Sequence, residues 1–157
     1  MPKLIYNGLD EVSAMMGDLL TQTEGILKMA VYDGAHEVFE AVRAEIQALP
    51  VSERGSKPPR DITPEQKAGL LSGMYGSTIQ TKDGAVYEFI SFEGYNNQLS
   101  EKYPKGQPNI LIARSIESGA TYMNKRPFMS KAARVAKPKA LAATKNTFER
   151  EIAKITK

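Results

Sequence analysis

The sequence contains no cysteine, no tryptophan and a single histidine among its 157 residues. The missing cysteines exclude disulfides, thiolate zinc sites and thiol nucleophiles, and they suit synthesis in a reducing compartment. The lone histidine, His36, leaves cysteine–histidine and zinc arrangements without their other members. With Glu37 and Glu40 in helical reach, it reads as a surface or half-buried helix residue rather than a catalyst or ligand. Long apolar runs are absent too: none approaches the roughly 20 residues that span a bilayer. The opening "MPKLIYNGLDEV" lacks the basic-then-apolar layout of a secretory signal.

What is present fits one folded domain over residues 1–157. Hydrophobic residues make up 41% and charged residues 25%, the ordinary balance of a globular chain with a core. The net charge of +3 conceals an asymmetry. Residues 1–53 hold 3 basic and 9 acidic side chains, a balance of −6, whereas residues 125–157 hold 10 and 2, a balance of +8. Such ends suit a basic arm for nucleic acid, or two complementary faces that meet within or between copies.

Periodicity then divides the chain. "KLIY" (Lys3 to Tyr6) reads as a short strand and Asn7-Gly8 as a turn, with Asp10 as the N-cap of a long helix. Its apolar positions run from Val12 through Met16, Leu19, Ile26, Ala30 and Val38 to Leu49 at helical spacing. Gly25 and Gly34 each weaken it by about 1 kcal/mol relative to alanine, so a break near Gly34 is expected. Pro50 ends it. Residues 51–62 read as a mobile loop. Thr63, Pro64 and Gln66 form a capping-box pattern that opens a short helix interrupted by Gly69 and Gly73.

Between Tyr75 and Tyr95, β-branched and aromatic residues flank Lys82-Asp83-Gly84, a hairpin signal. In the second run Val86, Glu88, Ile90 and Phe92 share one face, and Tyr87, Phe89 and Ser91 the other, which predicts a strand covered on both sides. Residues 96–109 form a second mobile loop. Asn109 is placed to cap a short helix that Gly119 ends. A C-terminal helix starts at Pro127 with an apolar stripe of Phe128, Ala132, Val135, Leu141, Phe148, Ile152 and Ile155. Pro138 inside it costs about 3 kcal/mol in a straight helix, which predicts a kink or two pieces. The fold class is α+β: long amphipathic N-terminal helix, small antiparallel sheet with a hairpin, short helix, and C-terminal helix kinked near Pro138.

No chemical motif emerges. Glu88 and Glu93 have the wrong spacing for paired acid–base work. "GMYGST" lacks the Gly-Lys-Ser/Thr ending of a phosphate loop and leads into a strand. The reading is therefore non-enzymatic, with no catalytic, cofactor or metal residues. Lys131, Arg134, Lys137, Lys139 and Lys145 form a candidate basic face toward DNA or a neighbouring subunit. No helix-turn-helix or RNA-platform signature accompanies them.

Three stretches, "LIYNGLDEVSAMMGDLL", "GLLSGMYGSTI" and "LIARSIESGATYMNKRPFMSKAAR", together resemble the head–tail joining or tail-completion proteins of long-tailed bacteriophages. These are often labelled minor tail components. The resemblance is closest at Ile116-Glu117-Ser118-Gly119-Ala120-Thr121 and Arg126-Pro127-Phe128-Met129. It implies a virion protein of the neck, made in the host cytoplasm, which acts as a homo-oligomeric ring of sixfold order. Its implied partners are the portal, adaptor or head-closure protein on one side and the tail terminator or tail tube on the other. Non-specific contact with packaged DNA is allowed, and no membrane is involved. The assembly residues it implies are Glu117, Gly119, Arg126, Pro127, Phe128 and Met129. Two alternatives stand beside it: a tail terminator capping the tube, and a small basic nucleic-acid-binding regulator.

Overall fold

The structure, a computed structural model, describes residues 8–156. The expected strand Lys3–Tyr6 lies outside them. Helix α1 spans Gly8–Ala48, and α2 spans Pro64–Gly73. Four short strands follow: β1 Met74–Gly76, β2 Gln80–Lys82, β3 Ala85–Tyr87 and β4 Ile90–Phe92. Helices α3 (Asn109–Ser118) and α4 (Phe128–Ile155) complete an α+β fold.

The long helices α1 and α4 pack antiparallel. Asp33 meets Thr147, whose hydroxyl donates to the aspartate, and Glu45 meets Lys131 at the other end. Gly34 does not break α1, because it is a contact point instead. A Cβ there would collide with the Thr144 hydroxyl and stand 3.1 Å from the Ala140 carbonyl. The intrinsic cost of a helical glycine is thus offset by close approach of two helices. Small residues line the facing stripe of α4: Ala132, Ala136 and Thr147 are buried. That corrects the predicted stripe, since Val135 and Leu141 point outward. Pro138 also lies on the exposed side. The backbone carbonyl it deprives of a partner is that of Arg134, also on the exposed side, and α4 continues as one element rather than two.

Asp10 is already inside α1 rather than its cap. Once a helix is nucleated, each added residue gains a hydrogen bond, so Asp10 is taken into the helix. The end at Ala48, before Pro50, is as expected.

The capping box at α2 is complete. Thr63 Oγ1 accepts from Gln66 N, and Gln66 Oε1 accepts from Thr63 N at 3.0 Å. Gly69 does not interrupt the helix; with Gly73 it makes room for the Asn96 and Asn109 side chains.

β1 to β4 form one long antiparallel excursion in two ladders. Met74 to Gly76 pair with Phe92 to Ile90, and Gln80 to Lys82 pair with Tyr87 to Ala85. Between the ladders, Ser77 to Ile79 oppose only Glu88 and Phe89, a bulge of one residue. The turn uses Asp83 and Gly84, both at positive φ (52° and 77°), as a two-residue hairpin of this kind requires. The predicted inner face holds, and Phe92 at its end is buried. The outer face is not covered: Tyr87 and Phe89 are exposed because the hairpin stands at the edge of the fold.

Asn109 is the first residue of α3, not its cap, and Pro108 precedes it. The asparagine is buried and donates to the Glu93 carbonyl at 2.8 Å, so tertiary bonding has taken the side chain a cap would use. The core gathers Val42, Ile46, Leu70, Ile112, Ile116 and Phe128 around Phe92.

Candidate functional site

The residues singled out between Glu117 and Met129 converge on one corner of the fold, where α3 ends and α4 begins. Pro127 and Phe128 open α4 with no capping side chain of their own. Glu117, on the last turn of α3, supplies one. Its Oε2 accepts the Met129 N–H at 2.9 Å, and its Oε1 accepts the Ser130 N–H at 3.0 Å and the Ser130 hydroxyl. A carboxylate here satisfies orphan donors and faces the positive end of the helix dipole.

Gly119 makes the intervening turn possible. Its φ of 78° suits glycine, and a Cβ would stand 3.0 Å from Lys125 Cβ. Arg126 returns to α3 through its backbone N–H, which donates to Ile116 O at 2.7 Å. Its guanidinium grips Asp61 from the 51–62 loop, Nε to Oδ1 at 3.0 Å and Nη2 to Oδ2 at 3.3 Å. Asn124 adds a third donor to Oδ1 at 3.2 Å. The Arg126 hydrogen bonds, joined by Asn124, hold the Asp61 carboxyl below the usual carboxylate range. Phe128 is 2% exposed and meets Phe92 edge-on, ring centres 6.1 Å apart. Met129 is half-buried against the same core.

The opposite helix end at this corner is treated with the opposite charge. Lys67 Nζ, on α2, donates to the Gln47 and Leu49 carbonyls at 2.6 and 3.0 Å. A cation thus meets the negative end of α1 and an anion the positive end of α4. Between these ends lies a cleft of about 230 Å³ lined by Glu45, Leu49, Pro50, Arg126, Phe128 and Lys131.

Both long loops are tied down. Ser52 N donates to Ile62 O at 2.8 Å, and Asn96 N to Gln107 O at 3.0 Å. Thr63 Oγ1 donates to Gln98 Oε1 at 2.6 Å, and Gln66 Nε2 to Gln107 Oε1 at 2.7 Å. Thr63, Gln66, Asn96, Gln98 and Asn109 are all buried.

The basic residues do not act as one set. Lys131 is engaged with Glu45 at 2.9 Å, and Lys145 lies 3.8 Å from Glu149. Helical spacing places Arg134, Lys137 and Lys145 on one outward stripe and Lys139 on another. His36 is exposed and lines a cleft of about 520 Å³ beside Tyr32, Ser77, Thr78 and Glu88. Glu88 has one oxygen, Oε2, sealed without a partner, and burial pushes its carboxyl up.

Sequence reasoning did not identify Asp61, Lys67 or Glu45, whose partners are distant in the chain. It also did not separate the first third of α1 from the remainder. Ile26 is the first buried side chain along that helix among those described. Before it, Met16, Leu19 and Leu20 are exposed, at 62%, 46% and 72%.

Among the described residues, no cluster of three or more His, Asp or Glu could hold a metal ion, and no helix is long and apolar enough to cross a membrane. Compared with known proteins, the chain matches no protein-family model, no curated protein and no solved structure.

Proposed function

We propose that this chain is a structural protein of a long-tailed phage virion, which completes the tail and joins it to the head connector as a ring. The observation that carries the reading is the corner just described. The stretch with the closest family resemblance, Ile116 to Met129, is where α3, α4 and the 51–62 loop are fastened together. A subunit that transmits load between head and tail needs such a junction, and the proposal assigns it no catalysis. The exposed apolar start of α1 and the opposed end charges give such a subunit surfaces for neighbours. The regulator reading draws less support, because Lys131 and Lys145 already face acidic partners.

The test is electron microscopy of lysates from a phage with an early stop codon in this gene. Full heads lying beside separate tails of normal length are the expected result. Tails of irregular length point to the terminator role. Normal virions, or no particles at all, overturn the proposal.

A further inference from the structure

The apolar face of α1 does not end where its cover ends. Met16, Leu20, Thr23, Leu27, Ala30 and Gly34 follow at alternating steps of four and three, so they fall on one side of the helix. Ala30 and Gly34 are buried, Gly34 against α4, whereas Met16 and Leu20 on the same stripe are exposed. The described side chains from Ala14 to Gln22 are all exposed, so this part of α1 projects as an arm of about 14 Å at 1.5 Å per residue. Gly17 within it and Gly25 just past it have nothing within 4 Å of where a side chain would begin. Its sequence is acidic: Asp10, Glu11 and Asp18 stand against Lys3 alone ahead of Glu24, which is paired with Lys28 at 2.9 Å.

A complementary surface stands on the outer side of α4. Arg134, Lys137, Leu141 and Lys145 follow at steps of three, four and four, and Leu141 is 61% exposed in their midst. Arg134 and Lys137 have no acidic partner among the described residues. Leu141 and Lys137 border an apolar groove of about 350 Å³ whose other walls include Val31, Val38 and Tyr87. Glu88 is the one acid in that wall, and its Oε2 is sealed from solvent.

We infer that the projecting start of α1 docks on this basic, groove-bearing face of α4 in a second copy of the chain. Charge complementarity selects this occupant: an acidic apolar arm meets a cationic apolar seat. The contact joins two different surfaces, so it repeats from copy to copy and closes into a ring when the rotation permits. The inference rests on the assembly reading and names its joint.

The test uses native mass spectrometry of the full chain. One variant spoils the arm (Met16→Lys with Leu20→Lys) and another spoils the seat (Lys137→Glu with Leu141→Glu). All four positions are exposed, so wild-type circular dichroism and melting are expected. The wild type should give multimers, each variant alone monomers, and their mixture a heterodimer with one intact joint. A seat variant that still associates alone would show arms pairing with arms and overturn the inference, as would a mixture that stays monomeric. A monomeric wild type overturns it as well, and leaves the tail-joining proposal to the lysate micrographs.

The absence of cysteine gives a second route that does not depend on disruption. A chain carrying Leu20→Cys and Leu141→Cys should form a ladder of covalent multimers under mild oxidation. Monomers only would sink the inference.

Discussion

The Glu117 carboxylate caps a helix that begins eleven residues later, its Oε2 accepting the Met129 N–H at 2.9 Å. Side-chain caps ordinarily come from the residue next to the first turn. Here that place is held by Pro127, which has no side-chain acceptor. Glu117→Ala should cost about 1–2 kcal/mol in urea unfolding, the upper part of the range for a lost cap. Glu117→Gln, which keeps an acceptor but not the charge, should fall between the two. Equal stability of all three proteins would show that the cap contributes nothing.

Phe128 fills the space directly behind that cap. Phe128→Ala should cost about 3–5 kcal/mol, the usual range for emptying a buried aromatic site. The same unfolding assay checks this, and a loss below 1 kcal/mol would contradict the burial described.

Glycines in one helix should respond in opposite directions. Gly34→Ala drives a methyl group toward Thr144 and the Ala140 carbonyl, and should destabilise by about 1–3 kcal/mol. Gly17→Ala meets empty space and should stabilise by about 0.4–1 kcal/mol through helix propensity and the unfolded chain. Thermal melts of both variants decide the matter.

These contrasts indicate which parts of the fold were legible in the sequence. The Thr63-Pro64-Gln66 box and the Asp83-Gly84 turn were readable because each is settled by neighbours within four residues. The buried side of α4 was readable only in part: Phe128 and Ala132 on the expected stripe are buried, whereas Val135 and Leu141 are not. Large apolar residues mark a core in most helices, but a helix pressed against Gly34 needs small ones. Ala132, Ala136 and Thr147 therefore went inward, and Val135 and Leu141 outward. In the candidate site, Gly119 and Phe128 were identified from local signals. Asp61 was not, because its partner Arg126 lies 65 residues away.

The Asp61 pairing should be visible in acid. Its carboxyl is lowered in the folded chain by Arg126, so its contribution is present above the unfolded value of about 3.9. That contribution is lost as pH falls through the lower folded value. Asp61→Asn should therefore be less stable than wild type near pH 7 and should converge with it as pH falls through the lowered folded value. Urea midpoints measured across that window provide the check.

Glu88 should behave in the opposite sense. Burial raises its folded value above the unfolded one of about 4.3, so its contribution is full below that and lost as pH rises through the folded value. At neutral pH the charge is a liability. Glu88→Gln should unfold at higher temperature than wild type at pH 7, with the gap closing near pH 4. A constant gap at both pH values would remove the charge from the explanation.

The fastening between Thr63, Gln66, Gln98 and Gln107 has a different character from the ion pairs around it. Hydroxyl and carboxamide groups neither gain nor lose protons over the pH range of proteins, and no counterion competes for them. Acid or brine that loosens Arg126 from Asp61 leaves those bonds intact. The 96–109 loop, fastened to α2 by these bonds, thus keeps its shape through changes of medium that release Asp61 in the other long loop.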